Sequence, residues 1–172
     1  MGPKKKGGEK SMKRLFACLF ALSLVLGGAA LAVAGNTATQ AVSYSTQAIS
    51  EISVSGNPGA LVVNAATAGQ NPDEATDSAT AYAVTTNQSN KKITGAIDSD
   101  MPADTTLKIN LVAPTGGTSQ GDVALSTAAA NLVTGISLLA ESDKMITYRF
   151  SALPSAGVIT GSRTVTLTLI DG

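Results

Sequence analysis

Three aspartates fall within the stretch DSDMPAD: Asp98, Asp100 and Asp104. Hard carboxylate oxygens at that spacing hold calcium when a loop wraps them around the ion. A helix–loop–helix calcium site also needs glycine at its sixth position and a bidentate glutamate at its twelfth. Counted from Asp98, this chain offers Ala103 and Ile109 there. Asp98, Asp100 and Asp104 are the calcium candidates, and the missing completing ligands predict turn-capping, hydrated aspartates with no metal or cofactor. The other acidic groups, Asp73/Glu74/Asp77 and Glu141/Asp143, have less of the pattern.

Residues 35–172 contain no histidine and no cysteine; the chain's one cysteine is Cys18. This removes the usual general base, the usual thiol nucleophile and the common zinc ligands. A Ser-His-Asp triad cannot be built. Carboxylate-pair hydrolysis of sugars needs two acids across a cleft, usually beside aromatic platforms. The acids, Glu51 excepted, fall in expected loops or at strand ends. Tyr44, Tyr82, Tyr148 and Phe150 are the only aromatics after residue 34. These features predict a non-enzymatic protein. Asn87-Gln88-Ser89 forms a glycosylation tripeptide at an expected hairpin tip, and such tripeptides arise often by chance.

The residues that position these groups begin after a leader. Lys4, Lys5, Lys6, Lys10, Lys13 and Arg14 precede an apolar run over residues 15–34, which closes on Ala32-Val33-Ala34. That is the layout of a secretory signal peptide, with small residues where the peptidase reads them. Cleavage before Gly35 would leave one domain over residues 35–172, a secreted protein of the cell surface, periplasm or medium with no stable membrane span. Of 12 basic and 12 acidic residues, six basic and one acidic lie in the leader, leaving six basic against eleven acidic. A mildly acidic domain whose one basic pair is Lys91-Lys92 is a poor fit to nucleic acid, which demands clustered cations.

The rest of the chain is rich in Thr, Ser, Ala and Val and alternates with period two between turn signals. This predicts an all-β fold, a two-sheet sandwich of immunoglobulin-like or jelly-roll type with seven to nine short strands. Expected strands cover residues 42–54 (one long strand, or two broken near Ser50), 61–63, 79–86, 92–97, 107–113, 123–125, 136–140, 146–152 and 164–170. The pair 79–86 and 92–97 reads as a hairpin. Residues 69–77, 114–121 and 141–143 read as loops. The stretch STAAANLV (126–133) reads equally as a helical turn or an irregular connection.

From Thr164 to Ile170 the alternation of Val165, Leu167 and Leu169 with threonines is unbroken by charge, Pro or Gly. A sheet edge of that composition is open to pairing with another strand. Together with the leader and the Thr/Ser/Ala/Val alternation, this resembles secreted filament and surface-coat subunits, pilin-like β-sandwiches that polymerise by donor-strand exchange. The chain departs from many chaperone–usher pilins in lacking a disulfide and a C-terminal aromatic. The resemblance implies that residues 36–48 form an extension completing a neighbour's sheet. Val42, Tyr44, Thr46 and Ala48 would then enter the acceptor groove, and the partner would be another copy of this chain. The competing expectation is that residues 42–48 pair with the 164–170 strand of their own domain. A monomeric, adhesin-like binding module displaying loops 69–77 and 114–121 is the alternative function.

Overall fold

Among residues 36–172, period-two alternation is realised as nine strands in two stacked sheets. The computed structural model describes residues 36–172; the expected leader, residues 1–34, lies outside the described residues. Two units are distinguished, Met1–Tyr44 and Ser45–Gly172. The described part of the first, residues 36–44, has neither helix nor strand and is exposed. All the strands among the described residues belong to the second.

They are β1 (Ser50–Val54), β2 (Ala75–Thr86), β3 (Lys91–Ile97), β4 (Thr105–Leu111), β5 (Thr118–Ser119), β6 (Val123–Ala124), β7 (Ala130–Ile136), β8 (Leu139–Ala152) and β9 (Val165–Asp171). A 3-10 turn, Pro154–Ala156, follows β8. One sheet has the order β1-β2-β8-β4-β6 and the other β5-β7-β3-β9. Every pairing is antiparallel. The protein is therefore an all-β, two-sheet sandwich. Among the described residues no helix is long and apolar enough to cross a membrane.

The core lies where the inward faces meet. Tyr82 and Val84 of β2, Ile109 and Leu111 of β4 and Ile146 of β8 pack against Ile93 of β3 and Leu132, Val133 and Ile136 of β7. Each is almost wholly removed from water, worth about 1.5–3 kcal/mol per large aliphatic side chain. Tyr82 resolves its buried polarity by donating its hydroxyl to the Val112 carbonyl at 2.7 Å. Burial raises its pKa, and Glu141 adds to the shift.

Several boundaries differ from the sequence expectation, each for a physical reason. The long first strand is short: β1 begins at Ser50, and residues 42–49 alternate without a strand partner among the described residues. Residues 61–63 form no strand, although Leu61 packs on the core. β2 and β3 are not a hairpin, because β2 pairs with β1 and β8 while β3 pairs with β7 and β9. The turn at residues 87–90 carries the chain from one sheet to the other. Inward residues on both its arms explain why alternation alone read as a hairpin. The ambiguous stretch ends in β7, whose Leu132 and Val133 enter the core and override the alanines' helix preference. Residues 141–143 lie inside β8, not in a loop. Tyr82 pairs with Lys144 and Val84 with Glu141, so the strand carries an extra residue there. Asp143 takes a left-handed conformation, φ 57°, which aspartate tolerates better than most residues.

Candidate functional site

The two sides of the sandwich end differently. On one side the edge strands β5 and β6 have two residues each, a length that offers little for another chain to pair with. On the other side the edges are β1, five residues, and β9, seven. β1 and β9 approach each other across this side without hydrogen bonding.

Between them runs a groove of about 1500 Å³. Its floor is Leu107, Ile146, Tyr148 and Phe150; Ile52 of β1 and Val165 and Leu167 of β9 form its rims. Segments 56–66 and 157–164 flank it, the first contributing Leu61. Burial pushes the Tyr148 phenol above its usual pKa, so this floor presents no ionised group from that ring. Thr80 of β2 also lines the groove. Only 5% of it is exposed, and its hydroxyl has no hydrogen-bond partner among the described residues. An unpaired buried hydroxyl is costly.

β9 meets β3 over its full length, from Lys91 with Asp171 to Ile97 with Val165. Val165, Leu167 and Leu169 all face inward, yet they are half-buried while their counterparts on β3 and β4 are closed off from water. The missing cover is on the groove side. No strand among the described residues pairs with the outer edge of β9. Among the described residues β3 is the one strand paired with β9, and residues 42–48 form no strand. Val42 and Tyr44 are 75% and 95% exposed, and Thr46 and Ala48 are exposed as well.

The chain just before β1 is held by Asn87. Its Oδ1 accepts the Ile49 N–H at 2.7 Å, and its Nδ2 donates to the Gln47 carbonyl at 2.7 Å. The Ile49 carbonyl accepts from the Thr86 hydroxyl at 3.0 Å and from the Asn87 N–H at 3.3 Å. Ser50 Oγ donates to Gln88 Oε1 at 2.9 Å. The sequence gives Asn87 no more than a glycosylation tripeptide. Bonds spanning some forty residues leave no local signal.

The aspartates of DSDMPAD serve the loops around them. Thr164 N–H donates to Asp98 Oδ1, and Thr127 donates to Asp100 Oδ1 through its N–H and its hydroxyl. Arg163 donates to the Asp100 carbonyl. Asp104 sits at φ 59°, its carbonyl accepting from Leu153 N–H. No cluster of three or more His, Cys, Asp or Glu side chains among the described residues could hold a metal. Glu74 pairs with Lys108 and Arg149, and Asp122 with Arg149, an ionic patch away from the groove.

No family model, curated protein or solved structure matches the chain.

Proposed function

We propose that this protein is a secreted, non-enzymatic structural subunit that assembles with copies of itself by strand complementation. Residues 36–48 of one copy lie in the groove of the next, beside β9. The observation carrying this reading is the coexistence of two unfinished features in one chain. One is a β9 edge free of charge from Val165 to Ile170 beside a groove with an apolar floor; the other is an exposed segment of strand-like alternation without a strand partner among the described residues. Each supplies what the other lacks. The donor adds backbone hydrogen bonds to the edge, and alternate side chains fill the groove. Val42, Tyr44, Thr46 and Ala48 would face inward, covering Val165 and Leu167. The absence of histidine and cysteine after residue 34 agrees with a structural role.

Deleting residues 36–48 tests it. The truncated chain should lose self-assembly in light scattering and electron microscopy, bind an apolar dye, and take up a peptide of residues 36–48. A truncated chain that assembles as the intact one does would overturn the reading. A groove that takes unrelated extended peptides equally well, in a protein that stays monomeric, would favour the binding module instead.

A further inference from the structure

We infer that Asn87 decides which groove the extension enters, its own copy's or a neighbour's; the inference rests on the assembly reading above. β1 starts at the end of the sandwich where β9 finishes, since Ser50 pairs with Thr86, and Lys91, just past the 87–90 turn, pairs with Asp171. An extension lying in its own groove would run toward that end and then reverse into β1. The reversal would fall on the residues just before Ser50.

Asn87 holds those residues extended. The Ile49 N–H, the Ile49 carbonyl and the Gln47 carbonyl all bond to Thr86 or Asn87. Groups of residues i and i+2 point to one side only in an extended strand. The side-chain amide thus acts as one more rung of the β1–β2 ladder, supplying an acceptor and a donor at the spacing of a backbone. A tight turn at residues 47–49 would break these bonds, whereas entry into a second copy's groove needs no turn there. Asn87 is in this sense a positioning residue that disfavours self-complementation and leaves the segment to a neighbour.

The test uses protein expressed from the full-length sequence, comparing the native chain with Asn87→Ala and Asn87→Asp. Asn87→Ala removes both side-chain bonds, and two bonds of ordinary net strength correspond to a shift of about thirtyfold. The ratio of monomer to assembled protein should rise by about that factor. In the monomer, amides of residues 42–48 should become protected from hydrogen exchange, with β2 and β3 protected as before. Asn87→Asp keeps the acceptor for Ile49, loses the donor to Gln47, and should move the same way by a smaller step. It carries the test alone should Asn87→Ala fail to fold. Native protein that assembles, with variants showing the same monomer fraction and unprotected residues 42–48, would overturn the role of Asn87 and leave the assembly reading standing. Native protein that neither assembles nor, once truncated, takes up the peptide would overturn both.

Discussion

Lys91 Nζ lies 2.5 Å from the Asp171 carboxylate, across the register pair that closes β3 against β9. The two sides of this ion pair are unequal. The lysine side chain is 9% exposed and the aspartate 90%. Removing the aspartate strands a largely buried cation, while removing the lysine leaves a carboxylate already in water.

Asp171→Asn should therefore loosen β9 more than Lys91→Met does. The readout is hydrogen exchange at the Thr168 and Ile170 amides, which face β3 in this register, and the reverse order would show that the pair does not hold the strand. The hydrogen bond and charge of Lys91 keep the Asp171 carboxyl below its ordinary value of 3.8. A folded value below the unfolded one gives stability that is fully present above 3.8 and fades as pH falls through the folded value. Exchange at these amides should accelerate in that acidic window in the native chain and much less in Asp171→Asn.

Glu141 should titrate well below the ordinary glutamate value. Its carboxylate accepts the Thr115 N–H at 3.0 Å and pairs with Lys144, and these contacts lower its pKa from 4.5 to about 2, the Lys144 hydrogen bond contributing most. Lys144→Met should raise the midpoint toward 4.5, as followed by NMR of the side-chain carboxyl. The stabilisation from Glu141 is complete above pH 4.5 and is lost between there and about 2. A midpoint unchanged by the substitution would mean that Lys144 does not set it.

How much of this was legible in the sequence depended on the range of the interaction that decides each feature. The inward set Leu107, Ile109 and Leu111 follows from local alternation and is realised in β4. The same alternation at Val42, Tyr44 and Thr46 forms no strand, because a strand exists only where a second edge accepts its hydrogen bonds. Nothing local distinguishes the two cases. β2 and β3 alternate like hairpin arms, yet they belong to different sheets. Which edge each strand meets is set by where Tyr82, Val84 and Ile93 converge in the core. The edge character of β9 was readable from its lack of charge. Its partner β3, the groove beside it and the role of Asn87 depend on contacts between distant residues.

Chelators should leave the melting temperature unchanged. Asp98 and Asp100 direct their Oδ1 atoms at Thr164 and Thr127 rather than toward a common centre. Asp98→Ala should instead weaken the crossing between the end of β3 and the start of β9, where Asp98 also donates its own N–H to the Thr164 carbonyl at 3.1 Å. The expected cost is about 1 kcal/mol, one net hydrogen bond. A melting temperature that climbs with millimolar calcium, and stops doing so in Asp98→Ala, would contradict this account.

Leu167 and Ile109 separate folding from assembly. Ile109 is fully enclosed by both sheets, so Ile109→Ala should cost about 2–5 kcal/mol in any state of the protein. Leu167 faces the same core but is half-buried, open toward the groove. In a chain lacking residues 36–48, Leu167→Ala should cost about 1 kcal/mol, roughly half of what full burial of a leucine is worth. In the intact chain a neighbour's strand would complete that burial, and the substitution should cost correspondingly more. Urea titration of both backgrounds reads the difference. The added cost appearing only when residues 36–48 are present, together with easier dissociation of the assemblies, would place the donor over Leu167. Equal costs in the two backgrounds would show that nothing covers this residue, and β9 would then be an edge that stays open.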